Sequence, residues 1–437
     1  MNLVNINSIF AANGCRKIYA KQLAPNDNSK NQIYLGGSFE ILNIFPISSI
    51  ETEPAGDWER ERFKAGLNFS WITEEGQISL APNAQLILYP KYPEVRFSGF
   101  LKGCQHPPSD LMTQRLAGRL LFLSVAGDGR ILGYVAAPDS AIANEFNLLH
   151  TDALGVFQIM DLPEITNNRQ RLIAELTRIS ALEWITSKRL DKHNHILPCT
   201  SPNCGGYTLE AELGITPNGY SEPDYLGWEL KQFSVRNFSR LNSAIITLMT
   251  PEPTAGLYKE EGVEAFVHRY GYDDLRGRQN RRNFGGIHIT GKRHPRTGLT
   301  MQLIGFDTGA GKIRNADGQI ALIDGKDNMA AAWSFSSLMI HWSRKHSQAC
   351  YIPSMSQDGP ERKYRYGNSV ILGTGTDFEL FLRQMAAGKI YYDPGIKVVT
   401  ESGKPAIKRR SQFRIKSVSL PGLYRKNELV KLNAPST

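Results

Sequence analysis

The sequence predicts two domains of different class: an all-β barrel or sandwich over residues 1–155, and an α/β domain on a mixed sheet over 168–437, with a linker over 156–167. Three observations carry this. Short apolar runs broken by Gly, Pro, Asn and Asp fill the first part. A helical apolar period begins abruptly at 168. Strand-like and helix-like runs then alternate to the end. A length of 437 residues suits two or three domains.

QIYLGGSFEILNIFP, AQLILYP, RLLFLSVAG and RILGYVAA are the N-terminal strand candidates. The last two read as a hairpin turning at Asp128-Gly129, since Gly readily takes the positive φ such turns need. NRQRLIAELTRISALEW places Leu172, Leu176, Ile179 and Leu182 on one helix face. Beyond it, WELKQFSV, SAIITLMT, LTMQLIGF, ACYIPSM, YRYGNSVIL and FRIKSVSL read as strands, and 330–346 and 376–387 as helices. Trp333, Phe335 and Trp342 fall at helical spacing and read as core, and GGIHIT around His288 reads as a strand with a core or surface histidine.

Composition narrows the function classes. With 41% hydrophobic and 21% charged residues the chain can bury sizeable cores, which excludes a wholly disordered or fibrous protein. No run reaches the ~18 apolar residues of a membrane helix. The N-terminal MNLVNINSIFAANGC lacks a basic segment leading into a long apolar one. Five cysteines without an export signal predict reduced thiols in a cytoplasmic protein, with Cys15, Cys104 and Cys350 as buried thiols. The first 160 residues carry 13 Lys and Arg against 15 Asp and Glu, and the rest 38 against 27, so the +9 excess arises in the C-terminal part. A basic domain of this kind points first to nucleic acid.

SEPDYLGWELKQFSV is the most informative stretch. In a strand, Glu229 and Lys231 share a face while Leu230 turns to the core. Asp224, just before the strand, can fold back beside Glu229. Two carboxylates make a hard-oxygen site suited to Mg²⁺, and a nearby ammonium can steer water, a combination able to attack a phosphodiester. The same spacing also suits the solvent face of an amphipathic strand.

EPDYLGWELK resembles the PD-(D/E)xK nuclease motif, and most of all that of the MvaI/BcnI group of restriction endonucleases, relatives of the MutH repair nickase. TLEAELG at 208–214 resembles the acidic helix before the motif, matching Glu210. SAIITLMTPEPT, HRYGYDD, AAWSFSSLMIHW, KYRYGNSVIL, FELFLRQMAAGKIYYD and SQFRIKSVSL follow in the same order as in that group. The resemblance spans about 180–425 and implies a restriction-endonuclease-like mixed sheet with helices. It implies metal-dependent hydrolysis of double-stranded DNA that leaves a 5′ phosphate. Asp224 and Glu229 would hold Mg²⁺ (Mn²⁺ as substitute), with the Leu230 carbonyl as a further ligand. Lys231 would position the attacking water and Glu210 support the metal shell. Members of the group act as monomers on short GC-rich pseudopalindromes, cutting one strand per binding event.

KRRSQFRIK, 408–416, puts five basic side chains in nine positions. Arginine matches guanine O6 and N7 in the major groove, so Arg414 and Arg409 are expected base readers, Arg414 at the arginine of the group's terminal strand. Lys408, Arg410 and Lys416 are expected on phosphates. Where Arg409 stands, related enzymes carry histidine. RGRQNRR, with Arg278, Arg281 and Arg282, reads as a loop that grips backbone or enters the minor groove, and Lys188-Arg189 is a third contact candidate. His193, His195, Cys199 and Cys204 are all possible zinc ligands, but their spacing is not that of a zinc knuckle, and a polar loop approaching the site is the plainer reading.

YAKQLAPNDNSKNQIYLGG resembles the N-terminal effector-binding domain of EcoRII restriction enzymes, a β pseudobarrel, on Lys21, Asn26, Asp27 and Gln32. YPEVRFSGFLK resembles its second arm, with Arg96 and Lys102 as contacts. Asn, Asp and Gln can pair with base edges. The net charge of this part counts against strong DNA binding, and a protein-interaction or structural role stays open. Together these readings describe a monomeric Type II restriction endonuclease that cuts a CC…GG-type site, binds a second DNA site through its N-terminal domain, and is accompanied in its host by a protecting DNA methyltransferase. The rivals are a MutH-like nicking enzyme that needs a partner protein and a DNA-binding regulator with an inactive nuclease fold.

Overall fold

The computed structural model describes the chain except residues 26–30, 54–60, 92–93, 115, 163–167, 202, 217–223, 242–243, 402–403 and 433–437. It divides into two compact units, Met1–Asn167 and Asn168–Thr437.

The first unit is built on two sheets. One has seven strands in the order Asp152–Leu154, Phe157–Asp161, Lys17–Leu23, Arg119–Val125, Ile131–Ala136, Phe69–Ile72 and Ile78–Leu80. The other has five, in the order Ile33–Gly36, Glu94–Ser98, Gln85–Tyr89, Arg62–Leu67 and Ile47–Glu53. The hairpin at Asp128-Gly129 forms as expected, with Gly129 at φ +82°. Two expectations need correction. The unit is not all-β: Leu3–Ala12 and Ala141–Asn147 are helices, and Leu3, Ile6, Phe10, Ile142 and Phe146 pack into the core against Phe122 and Leu132. Leu3, Ile6 and Phe10 recur at helical spacing behind an Asn2 cap, a signal hidden by the brevity of the run. Nor is 156–167 wholly a linker, because Phe157–Asp161 pairs with Lys17–Ala20 in the large sheet.

In the second unit the helix Asn168–Ala181 buries Leu172, Leu176 and Ile179, while Leu182 lies past its end and is exposed. The strand Glu229–Ser234 runs parallel to Gln348–Gln357, with Glu229 opposite Ala349 and Lys231 opposite Tyr351. Antiparallel strands Lys363–Tyr366 and Ser369–Thr374 pair with Gln348–Gln357, and Ile185–Thr186 and Lys426–Lys431 complete this sheet. Leu230, Cys350, Ile352 and Leu372 from the sheet pack against Leu172, Leu176 and Leu209 from two helices. A second sheet orders Ile245–Met249, Phe413–Lys416 and Ile390–Tyr392, and a third orders Tyr272–Asp273, Arg281–Gly285, Gly395–Glu401 and Lys404–Lys408. This is a mixed α+β unit.

The expected helix over 330–346 begins only at Phe335. Met329–Ser334 is a strand, Ser334 caps the helix by accepting from the Ser337 amide, and Trp333 is a strand residue. All three aromatics are nevertheless buried. FRIKSVSL stays a strand only to Lys416 and then becomes a 3₁₀ turn, Ser417–Leu423, around Pro421, which cannot donate to a ladder. His288 is fully buried, but it forms an isolated bridge to Tyr392 rather than lying in a strand.

Candidate active site

A tight turn builds the centre. Tyr225 and Trp228 exchange backbone hydrogen bonds across Leu226 and Gly227, whose φ values are 50° and 84°. Positive φ at both central residues folds the chain back sharply. Asp224 is thereby returned to the strand it precedes, and its Oδ2 accepts from the Leu230 amide at 2.9 Å. Glu229 is buried to 1% exposure, and Lys231 Nζ donates to its Oε1 at 2.5 Å. Glu229 Oε2 is buried without a partner.

Glu210 rides on the helix Cys204–Glu212, whose Leu209 is buried against the same core as Leu230. Burial, together with the Asp224 and Glu229 carboxylates, pushes the Glu210 carboxyl up to about 7, with Lys231 opposing. Burial also raises that of Glu229, again against Lys231. The carboxylates thus crowd one another: the charge of Asp224 raises both Glu210 and Glu229, and that of Glu229 raises Glu210 further. An orphaned buried oxygen beside further acidic oxygens is the donor set a hard divalent cation satisfies, so Asp224, Glu229 and Glu210 fit such an ion. The set is gathered rather than closed: among the described residues no three ligating groups stand at metal-binding distance. Leu230 is buried between the two strand residues, its amide taken by Asp224.

Lys231 also lines a cleft of about 1330 Å³, whose lining includes Arg236, Arg240, His341, Lys345 and His346 and, among the described residues, no acidic one. Lys345 is the residue the sequence reading missed. It sits at the end of the helix Phe335–His346, and its charge reaches both Glu210 and Glu229. The signal was the His341/Lys345 pair at i,i+4, on a helix read only for its buried aromatics. His346 is buried against Trp342 at 4.1 Å, bonded through Nε2 to the Leu248 carbonyl, with Nδ1 unpartnered; burial and the nearby Lys231 keep it neutral.

The expected DNA-contact residues divide. Arg414 flanks the cleft, its guanidinium held by Asp393 Oδ2 at 2.6 Å and Thr247 Oγ1 at 3.3 Å. Lys408, Arg409 and Arg410 meet Arg278 and Arg281 in a second groove of about 720 Å³, although more than a hundred residues separate the two segments. Lys416 is exposed on the strand that carries Arg414. Arg282 is tied to Asp273 and the Gly271 carbonyl. Lys188 is held by Glu212 at 2.6 Å, while Arg189 is exposed.

In the first unit, Arg96 donates to Gln32 Oε1 at 3.1 Å, so the two arms meet there. Arg96 also pairs with Glu94. Lys21 is half-buried, burial lowering its ammonium, and Lys102 is exposed. Asn26 and Asp27 lie outside the described residues.

The expectation of reduced thiols throughout is corrected at one place. Cys199 and Cys204 form a disulfide at the start of the Glu210 helix, which takes both sulfurs away from any zinc ion. His193 and His195 instead belong to an exposed turn whose amides donate to Asp191. No helix among the described residues is long and apolar enough to cross a membrane.

The model of the MvaI/BcnI restriction endonuclease family matches residues 173–424. Two solved structures are similar to this chain. A restriction endonuclease MvaI–cognate DNA substrate complex is 19% identical, with a TM-score of 0.45, covering 62% of this chain and all of that one. Restriction endonuclease MvaI in the absence of DNA is 17% identical, with a TM-score of 0.34, covering 61% of this chain and 99% of that one. No curated protein matches. With more than half its length matched by that one family model, and with the acidic centre lying inside the matched span, the chain belongs to the MvaI/BcnI restriction endonuclease family and is a Type II site-specific deoxyribonuclease.

Proposed function

We propose that the chain hydrolyses double-stranded DNA in a Mg²⁺-dependent reaction at a short CC…GG-type site, leaving 5′-phosphate ends. The observation that carries this is the crowding of Glu210, Asp224 and Glu229 around Lys231, which lines a cleft whose described lining residues include cations and no carboxylate. When bound, Mg²⁺, or Mn²⁺ in its place, would make a water more acidic and offset charge on the phosphate. Asp224 and Glu229 would hold it, with the Leu230 carbonyl and Glu210 completing or orienting the shell. Lys231 shares its ammonium with Glu229 in the free protein. With Glu229 turned to such a cation, Lys231 would be free to hold the attacking water. The water gives a proton to solvent as its oxygen bonds to phosphorus, the P–O3′ bond breaks, and the 3′ oxygen takes a proton from solvent. Lys345 lies where it can stabilise the extra negative charge of that transition state.

The first unit would bind a second DNA site, its Lys21, Asn26, Asp27, Gln32, Arg96 and Lys102 being the candidate contacts. The enzyme would work as a monomer in the cytoplasm, alongside a host methyltransferase that protects the same sequence. Purified protein should linearise unmethylated supercoiled plasmid with Mg²⁺, and sequencing of the ends should return one short motif. Asp224→Ala and Lys231→Ala should each abolish cutting while duplex binding persists. Nicked circles alone would favour the MutH-like reading. Binding without any cutting would favour the inactive regulator.

A further inference from the structure

The second groove lies on the sheet formed by Arg281–Gly285, Gly395–Glu401 and Lys404–Lys408. Arg281 and Asn283 are two apart on one strand. Asn283 lies opposite Lys397, and Lys397 opposite Lys408. One face of this small sheet therefore carries a ladder of cations, to which the flanking loops add Arg276, Arg278, Arg409 and Arg410. Lys397 and Lys408 are like charges directly across a strand pair, an arrangement that costs stability. The crowding is felt: the Lys397 ammonium is held below its usual range, chiefly by Arg281 and then by burial, Lys408 and Arg278. Among the described residues Asp274 is the one acid in the lining, and it is already engaged by Asn283 and Arg281. Among the described residues Arg276, Lys397, Lys408, Arg409 and Arg410 have no ion pair.

The groove adjoins the cleft. Its last lining residue, Arg410, accepts from the Gly395 amide through its carbonyl, and the next residue, Ser411, donates to the Pro251 carbonyl at the cleft margin. A duplex whose scissile phosphate sits by Lys231 thus has a cationic track leading away from it along 409–411.

We propose that this groove is a one-sided backbone clamp: it takes the sugar-phosphate chain of the duplex flanking the cut, through Lys397 and Arg276 together with the two basic segments, and it reads no base. This rests on the nuclease reading above; it adds Lys397, and it singles out Arg276 within the RGRQNRR segment. It also moves Arg409 from base reading to phosphate contact, leaving Arg414 as the base reader. The argument is one of number: five cations without an ion pair among the described residues, on one narrow surface, match a run of phosphates, and each neutralised phosphate releases counterions.

The test uses the full chain and a 24-base-pair duplex of arbitrary sequence in EDTA, with affinity followed by fluorescence anisotropy against KCl concentration. Lys397→Ala combined with Arg276→Ala should lower the slope of log K against log salt by about 1–2, at ~0.9 per phosphate contact. Lys397→Arg should keep the slope. An unchanged slope in a double variant with a native melting curve overturns the clamp. Once the cut has been mapped on plasmid, duplexes trimmed on either side of it should lose affinity on one side only. Equal loss on both sides overturns the one-sidedness, and a change in the sequence cut by Arg409→Ala overturns its removal from base reading. Magnesium-dependent plasmid cutting by the wild-type protein is scored separately. If the slope falls but plasmid is never cut, the nuclease reading fails and the groove remains only a contact to duplex backbone; if plasmid is cut but the slope holds, the clamp fails and the nuclease reading stands.

Discussion

Glu210→Gln offers the sharpest probe of the acidic centre, because its effect on stability has a sign opposite to intuition. In the free protein, burial and the Asp224 and Glu229 carboxylates raise the Glu210 carboxyl from 4.5 to about 7. A group raised on folding favours the native state below its unfolded value, and that advantage is lost as pH climbs through the folded value. Over the interval from 4.5 to about 7, at ~1.4 kcal/mol per pH unit, the full linkage is ~3 kcal/mol; water still reaches this half-buried group, so about 1–3 kcal/mol is expected. Glutamine keeps the shape and never ionises. The variant should therefore match wild type near pH 4 and exceed it above pH 7, by roughly 2–12 °C in melting temperature at 2–4 °C per kcal/mol. The assay is a thermal melt in EDTA at several pH values, repeated with Mg²⁺. Mg²⁺ should stabilise wild type more than the variant, since a bound cation relieves the repulsion that glutamine has already removed. A pH-independent difference, or a variant less stable at pH 8, refutes the reasoning that the carboxylates crowd one another.

Three further outcomes are expected. Lys345→Met should lower the cleavage rate by about 10²-fold, a magnitude typical of losing one charge-stabilising donor, while leaving metal-free duplex affinity within a factor of about two, and Lys345→Arg should recover part of the rate. Gly227→Ala meets no atom within 4 Å, yet it imposes a φ of +84° on a residue with a Cβ, so a loss of ~1 kcal/mol in stability with a larger loss of cutting is expected as Asp224 drifts; unaltered cutting would show that the turn does not set the carboxylate. Peptide mapping without reductant should join Cys199 to Cys204, and iodoacetamide on native protein should label Cys104 before Cys15 and Cys350, which are buried and whose thiols are held above their usual range.

The local pattern determined much of this protein by itself. Period-two alternation placed Glu229 and Lys231 on one face and Leu230 in the core, because strand geometry leaves no other choice. Helical spacing likewise marked Leu172, Leu176 and Ile179 as buried. Where neighbouring signals compete, the reading stopped short: Ala330, Ala331 and Ala332 suit a helix by propensity, yet they form a strand because pairing with Gln319–Ile323 buries them. Only the tertiary structure decided what meets what. Lys345 comes to the Glu229 site from 116 residues away, Lys397 comes to lie between Arg281 and Lys408, and Cys199 is joined to Cys204. The physical reason is range: propensity and periodicity act within a few residues, whereas burial and electrostatic crowding depend on distances in space that chain order does not encode locally.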